Sequence, residues 1–286
     1  MQDSTSSPDR YGVVGHPVAH SKSPFIHGLF AQQTGHSITY ELFDFTPEEF
    51  GERVRAFFAS GGRGLNVTLP HKLAAARLAD ELTSRAALAA AANTLALRED
   101  GRILGDNTDG FGLVRDLTEN LGIRLGGARI LILGAGGATR GAIGPLLELG
   151  PERLVIANRT PERARALAAD FARLGPVTGC GFEELGDSRF DVVINATSAS
   201  LSGEVPPLDP AIARETRLCY DMAYGPDSTP FVRWALRHGC PRAEQGLGML
   251  VEQAAESFRI WRGVRPDTRP VLAALAAQIS ASAGAS

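Results

Sequence analysis

The sequence predicts a two-domain α/β protein with a mainly parallel sheet arrangement. Three observations carry this reading. Short apolar runs alternate with helix-forming stretches along the whole chain. A glycine-rich turn, Gly134-Ala-Gly-Gly-Ala138, lies between a buried run and a helical one. The length, 286 residues, suits one large or two ordinary domains.

Taken in order, residues 11–15 read as a strand after a polar start that is expected to be frayed. A loop with Pro17 and Pro24 leads into a helix over 24–34. Residues 38–43 alternate as a strand, 47–60 read as a helix, and 64–69 as a strand ended by Pro70. The Ala- and Leu-rich stretch 72–91 carries helical segments. Residues 94–98 and 102–104 predict a hairpin around Asp100-Gly101. A second unit begins near Asn107. It holds a helix over 111–120, a buried strand over 129–133, the glycine turn, and a helix to about 148. A strand at 154–157 and a helix over 161–173 follow. Strands are expected at 191–194 and 217–220 and a helix over 229–237, while 246–262 and 269–282 read as helical. The Ala/Ser/Gly tail is left unstructured. No internal repeat and no heptad pattern occurs.

Composition excludes several classes of function. Hydrophobic residues make up 44% and charged residues 21%, a globular profile rather than a disordered one. The net charge of −3 and a pI near 6.1 exclude a broadly basic nucleic-acid binder. Cys180, Cys219 and Cys240 form neither a disulfide framework nor a metal motif, which fits a reducing cytoplasm. The first ten residues lack the apolar core of a signal peptide, and no apolar run reaches the roughly 18 residues of a membrane span. No His/Cys/Asp group has convincing metal-ligand spacing. Of 29 basic residues only Lys22 and Lys72 are lysines. Arginine serves wherever a fixed charge suffices, whereas lysine can give up its proton, so each lysine is a candidate for chemistry.

The glycine turn sits where a strand feeds a helix. Missing side chains let the backbone approach a pyrophosphate there, and the helix N-terminus offers N–H groups to the anion. Thr139 occupies the third glycine position of this Rossmann-type fingerprint, so the match is to a variant. An NAD site usually ends the next strand with Asp or Glu, about 20 residues after the first glycine, to accept from the ribose 2′-OH. Here the strand ends Asn158-Arg159-Thr160, with Arg163 one helical turn on. Two guanidinium groups and a hydroxyl suit a 2′-phosphate, which favours NADP.

Three polar clusters lie at loops or strand ends of the first unit: Ser21-Lys22-Ser23, the run from Asn66 through Thr68 to Lys72, and Asp106-Asn107-Thr108-Asp109. On a strand Asn66 and Thr68 face the same side. Each cluster alone could be turn chemistry or helix capping. Together they offer hydroxyls, amides, a lysine and a carboxylate, an inventory that suits a small polyhydroxylated acid.

At these residues the chain resembles the shikimate dehydrogenase family, from Tyr11 to about Leu275. The matching stretches begin with Gly15-His-Pro-Val-Ala-His-Ser-Lys-Ser-Pro24, Gly64-Leu-Asn-Val-Thr-Leu-Pro-His-Lys72, Ala92-Asn-Thr94 and Gly105-Asp-Asn-Thr-Asp-Gly110. They continue through the glycine turn, Asn158-Arg-Thr160, Asn195-Ala-Thr197, Tyr220-Asp-Met-Ala-Tyr224 and Gly246-Leu-Gly-Met-Leu250. The resemblance implies NADPH-dependent reduction of 3-dehydroshikimate to shikimate, on the route to chorismate and the aromatic amino acids. It implies an α/β substrate domain over 1–108, an NADP-binding Rossmann domain over 109–245, and C-terminal helices, 246–286, packing back on the first domain.

The same resemblance implies roles. Lys72 and Asp109 would form the catalytic acid–base pair. Ser21 and Ser23, helped by Tyr224, would hold the carboxylate, and Asn66, Thr68, Asn93, Asp109 and Gln253 the ring hydroxyls. Gly134, Ala135, Gly136, Gly137 and Ala138 would cradle the pyrophosphate. Asn158, Arg159, Thr160 and Arg163 would surround the 2′-phosphate, and Met222 and Gly246 would line the nicotinamide end. Two departures stand out: Ser84 where some members carry Glu, and Ala199 where another Ser is common. His16, His20 and His71 read as hydrogen-bonded structural residues, and Lys22 as either a source of positive potential or a solvated side chain. The alternatives are a quinate or dual quinate/shikimate dehydrogenase and a catalytically silent NADP-binding regulator. Quinate would need room or a donor for one more hydroxyl near Ser21 and Ser23, and a silent binder would need no titratable pair. A homodimer is left open.

Overall fold

The computed structural model describes residues 7–283, so the start and the last three tail residues, 284–286, lie outside the described residues. The chain divides into two compact units, Met1–Thr108 with Gln253–Leu275, and Asp109–Glu252 with Ala276–Ser286. The helix Leu247–Arg262 thus contributes to both, and the final helix Thr268–Ala283 is divided at Leu275. This differs from an assignment of all of 246–286 to the first unit. Among the described residues no helix is long and apolar enough to cross a membrane.

The first unit is a six-stranded sheet built from β1 (Asp9–Gly15), β2 (Ile38–Asp44), β3 (Gly62–Val67), β4 (Glu81–Leu82), β5 (Thr94–Leu97) and β6 (Ile103–Asp106), in the order β2-β1-β3-β5-β6-β4. β1 runs parallel to β2 and β3, but β5 is antiparallel to both β3 and β6, so this sheet is mixed rather than mainly parallel. The expected hairpin supplies the antiparallel pair. Gly101, at φ +82°, turns it, and its N–H donates to Arg98 O at 3.0 Å. Phe50, Val54, Phe57, Leu65, Val67, Leu95 and Ile103 fill one core. Trp261 closes over the sheet: its indole N–H donates to Leu95 O at 3.0 Å, in space that a side chain at Gly64 would occupy. The helix Ser23–Thr34 starts with a proline in its first turn and stops at Gly35, whose left-handed φ of 70° lets its N–H return to Ala31 O.

The second unit is an all-parallel sheet of β7 (Arg129–Leu133), β8 (Arg153–Ala157), β9 (Val177–Cys180), β10 (Val192–Asn195), β11 (Leu218–Asp221) and β12 (Ala243–Gln245). The order β12-β11-β10-β7-β8-β9 is the doubly wound one, reversing between β7 and β10. Ligands of such sheets bind outside the carboxyl ends of the strands at that reversal. Ile130, Ile132, Leu154, Ile156, Val192 and Ile194 are buried in one core cluster with the flanking helices. The helices Asp109–Arg115 and Gly137–Leu147 meet closely, because a Cβ on Gly110 would overlap the Gly141 carbonyl. β4, β9 and β12 were not expected from the sequence.

Candidate active site

In the first unit, Ser23 is buried and Ser21 and Lys22 are half-buried at the start of the helix Ser23–Thr34. Ser21 Oγ lies 3.2 Å from Ser23 Oγ and accepts the Ser23 N–H at 3.3 Å, so the two hydroxyls share one turn. Thr68, half-buried just past β3, donates its N–H to Val14 O at 2.9 Å. Lys72 is half-buried and opens the helix Lys72–Leu78, where its carbonyl accepts Ala92 N–H at 2.9 Å.

Asn66 ends up inside a buried polar cluster. Its Oδ1 accepts from His27 Nε2 at 3.1 Å and from the Tyr40 hydroxyl at 2.7 Å. Its Nδ2 donates to Ser257 Oγ at 2.9 Å, with Thr94 Oγ1 at 3.3 Å and Asn93 O at 3.4 Å also in reach. The carboxamide has two donors and two acceptor positions, and protein groups engage all four. A direct bond from Asn66 to a ring hydroxyl would require one of these to open. Asn93 is tied into the same cluster: its Oδ1 accepts Thr108 N–H at 2.8 Å, and its Nδ2 donates to Thr108 Oγ1 at 2.9 Å and to Gln253 Oε1 at 3.3 Å. The loop that delivers Asp109 is therefore held up to the preceding residue. Asp109 itself is buried at the first position of the helix Asp109–Arg115.

The histidines near the motifs have structural partners or lie on the surface. His71 Nε2 sits 2.7 Å from Phe45 O and its ring stacks on Phe50, while exposed His16 meets Asp44 at 2.6 Å. His20 is exposed. Ser84 is exposed at the start of the helix Ser84–Ala89. The neighbouring Arg85 makes a two-point contact with buried Asp106, at 2.7 Å each, and reaches Glu256 at 3.0 Å.

His27, which the sequence reading did not single out, is buried and neutral. Desolvation pushes its pKa from 6.5 down to about 3. With Asn66 Oδ1 as acceptor, Nε2 carries the proton, and buried Nδ1 has no partner among the described residues. Between the two pKa values the unfolded chain binds a proton that the folded chain does not. The stability contributed by neutral His27 is complete above the unfolded value and is lost as pH falls toward about 3, at up to about 1.4 kcal/mol per pH unit. Urea unfolding of the wild type should therefore lose stability more steeply across this window than that of His27→Asn. Equal slopes would show that His27 gains its proton without unfolding.

In the second unit, β7 is followed by Gly134, whose φ of +99° favours glycine. Gly136 and Gly137 open the helix Gly137–Leu147, which has no side-chain cap, and a Cβ at either glycine would meet only open space. Uncapped N–H groups beside open space fit a pyrophosphate. Thr139 is fully buried and donates to Gly134 O at 2.7 Å, so a threonine at the third fingerprint position still packs helix against turn. Asn158 is half-buried after β8 and donates to Thr160 O at 3.0 Å. Arg159, Thr160 and Arg163 are exposed. Neither arginine has a carboxylate partner among the described residues, whereas Arg165 nearby is taken by Glu184 at 2.7 Å. Two unpaired guanidinium groups fit a 2′-phosphate.

Met222 and Gly246 come together, since Gly246 lies so close under the Met222 carbonyl that a Cβ would overlap it. Gly248 packs in the same way on the carboxylate of Asp116, which accepts the Tyr220 hydroxyl at 2.7 Å and Asn120 Nδ2 at 2.9 Å. Tyr224 is half-buried, and burial raises its phenol pKa. At the ends of β10 and β11, buried Asp221 accepts from Asn195 Nδ2 at 3.1 Å, Ser200 Oγ at 2.5 Å and Thr229 Oγ1 at 2.6 Å. Ser200 follows Ala199 and supplies a hydroxyl one residue beyond the place where the sequence lacks one.

Three family models match stretches of the chain. Residues 13–95 match the shikimate dehydrogenase substrate binding domain, 116–203 shikimate / quinate 5-dehydrogenase, and 246–276 the shikimate 5′-dehydrogenase C-terminal domain. A relative named shikimate dehydrogenase (NADP(+)), from Methylococcus capsulatus, is 58% identical, covering 96% of this chain and 98% of its own. The chain belongs to the shikimate dehydrogenase family. Among solved structures, an Ael1 enzyme from Pseudomonas putida is 48% identical with a TM-score of 0.89, covering 93% of this chain and 98% of its own. The shikimate 5-dehydrogenase of Thermus thermophilus, solved with NADP(H) and shikimate, is 34% identical with a TM-score of 0.84, covering 95% of this chain and 99% of its own.

For this shikimate dehydrogenase family member, sequence reasoning did not single out several residues that surround the expected site residues. His27, Tyr40, Thr94 and Ser257 surround Asn66, and Asp221 braces Asn195. A signal existed only for the last pair, since Asn195 and Asp221 both end short apolar strands whose carboxyl ends line the reversal of the sheet.

Proposed function

We propose that this chain catalyses the NADP-dependent, reversible reduction of 3-dehydroshikimate to shikimate. The observation that carries this is the 58% identity, along nearly the full length of both chains, to a relative named for that cofactor and activity. The residues present support it chemically. Ser21 and Ser23 bind the carboxylate with Tyr224. Thr68, Asn93, Asp109 and Gln253 bind ring hydroxyls, with Asn66 holding the cluster behind them. Gly134 to Ala138 bind the pyrophosphate, Asn158, Arg159, Thr160 and Arg163 the 2′-phosphate, and Met222 and Gly246 line the nicotinamide. Residues 1–108 serve as the substrate domain and 109–245 as the cofactor domain.

The bound cofactor supplies a hydride to the ketone carbon. The chain must supply a proton to the ketone oxygen, and Lys72 does so from its Nζ, with Asp109 as its carboxylate partner. Aligning carboxylate, hydroxyls and carbonyl through separate hydrogen bonds holds one face of the ring toward the hydride. Oxidation runs the same steps backward, with neutral Lys72 taking the hydroxyl proton. The test is turnover of NADP with shikimate and, separately, with quinate. Shikimate should be oxidised at least about tenfold more efficiently, the size expected when a site lacks a group for one more buried hydroxyl. Rapid turnover with quinate alone would sink the assignment.

A further inference from the structure

Asp221 ends β11 and is fully buried, and its two carboxylate oxygens hold four donors. Oδ1 accepts the Ala223 N–H and Asn195 Nδ2, each at 3.1 Å. Oδ2 accepts Ser200 Oγ at 2.5 Å and Thr229 Oγ1 at 2.6 Å. Burial pushes the carboxyl pKa above its ordinary value, against the pull of these four donors. Met222 lies between Asp221 and Ala223. Its N–H donates to Asn195 O at 2.9 Å, and its carbonyl packs on Gly246, whose own N–H donates to Ala223 O at 3.1 Å. The backbone is thus held before, at and after Met222. Asn195 carries the same frame toward the glycine turn: its Oδ1 accepts Thr197 Oγ1 at 2.7 Å, and a Cβ on Gly134 would lie 3.0 Å from Thr197 Cγ2.

We propose that Asp221 is a positioning residue for hydride transfer: its Oδ1, by holding Ala223 N–H and Asn195 together, fixes the Met222 turn against which the nicotinamide ring is set. The inference rests on the proposed function, which gives Met222 that place. The two oxygens have different tasks. Oδ2 ties the strand end to Ser200 and to Thr229, the residue that caps the helix Pro230–Arg237. Oδ1 acts on the turn itself. Without an acceptor there, Ala223 N–H and the Asn195 amide lose their shared anchor. A shift of about 1 Å in such a support is enough to cost a reaction on the order of 10²-fold. The residues proposed for the 2′-phosphate follow β8, on the far side of β10 and β7 from β11. The effect therefore falls on the nicotinamide end and spares the phosphate end.

Asp221→Ala removes both oxygens. Its kcat should fall about ten- to hundredfold, with the KM for shikimate within about twofold of wild type. The inhibition constant of 2′,5′-ADP, which carries the 2′-phosphate but no nicotinamide, should also stay within about twofold. Asp221→Asn keeps an acceptor at Oδ1 and puts an amide where Oδ2 stood, and the Ser200 and Thr229 hydroxyls can turn to accept from it. Its kcat should return to within about threefold of wild type. A wild-type kcat in Asp221→Ala would overturn the inference. So would a 2′,5′-ADP constant that worsens in step with kcat, which marks a general loosening of the unit, or an Asp221→Asn as slow as Asp221→Ala. Hydrogen exchange at the Ala223 amide checks the contact in the wild type, whether or not the alanine chain folds. Exchange there should be slowed at least about tenfold, and free exchange would overturn the inference. Wild-type protein that fails to oxidise shikimate would instead overturn the function.

Discussion

Arg159→Asp reverses most of the preference for NADP over NAD. The wild-type ratio of kcat/KM for the two cofactors should exceed tenfold, since two guanidinium groups, Arg159 and Arg163, are exposed, close in sequence and unclaimed by any carboxylate among the described residues. Charge-assisted hydrogen bonds to phosphate are worth about 1.5–3 kcal/mol each, and solvent around exposed arginines reduces that worth. Aspartate at this position removes one attraction, repels the phosphate, and places an acceptor near the strand end where NAD-binding proteins carry one for the ribose 2′-OH. The wild-type preference should also shrink as salt is raised, because exposed charges are screened over roughly 10 Å at ordinary ionic strength. Equal efficiency with both cofactors in the wild type, or an unchanged ratio in Arg159→Asp, would remove this loop from cofactor selection.

The nucleotide half was legible because its signals are local. A buried run, a glycine turn and a helix follow one another within about twenty residues, a pattern that local spacing alone can show. β9 and β12 escaped notice for a physical reason. Val177–Cys180 is a four-residue edge strand carrying Gly179, which is needed there because a Cβ would overlap the Ala164 backbone. Ala243–Gln245 is a three-residue edge strand with two polar residues. Neither shows a period. Asn66 tells the other half of the story. Its place at a strand end marked it as polar and poised, but its partners His27, Tyr40 and Ser257 come from 39, 26 and 191 residues away. No spacing rule reaches that far, so the buried hydrogen bonds that engage Asn66 within the protein could not be read from the sequence.

Lys72→Met lowers turnover by about 10²- to 10⁴-fold, the usual worth of a general acid–base group. Lys72→Arg should fare nearly as badly, and it is the more informative variant. Ketone reduction needs a proton on oxygen, and in oxidation the same group must accept one. A lysine can do both, donating as the ammonium and accepting as the neutral amine, whereas a guanidinium keeps its charge and will not release its proton. Methionine removes charge and proton together and cannot tell an anchor from an acid. Arginine keeps the anchor. Almost every other basic residue of the chain is already arginine, so the presence of lysine at position 72 is itself an argument that something beyond charge is required. The helix it opens is fixed by Ala92 N–H to the Lys72 carbonyl and by buried Ala75, so either substitution should leave the fold intact. The KM for shikimate should change little beside kcat if the interaction belongs to the transition state. Near-normal turnover of Lys72→Arg across the pH range would make Lys72 an electrostatic anchor and move the proton to Asp109 or to water.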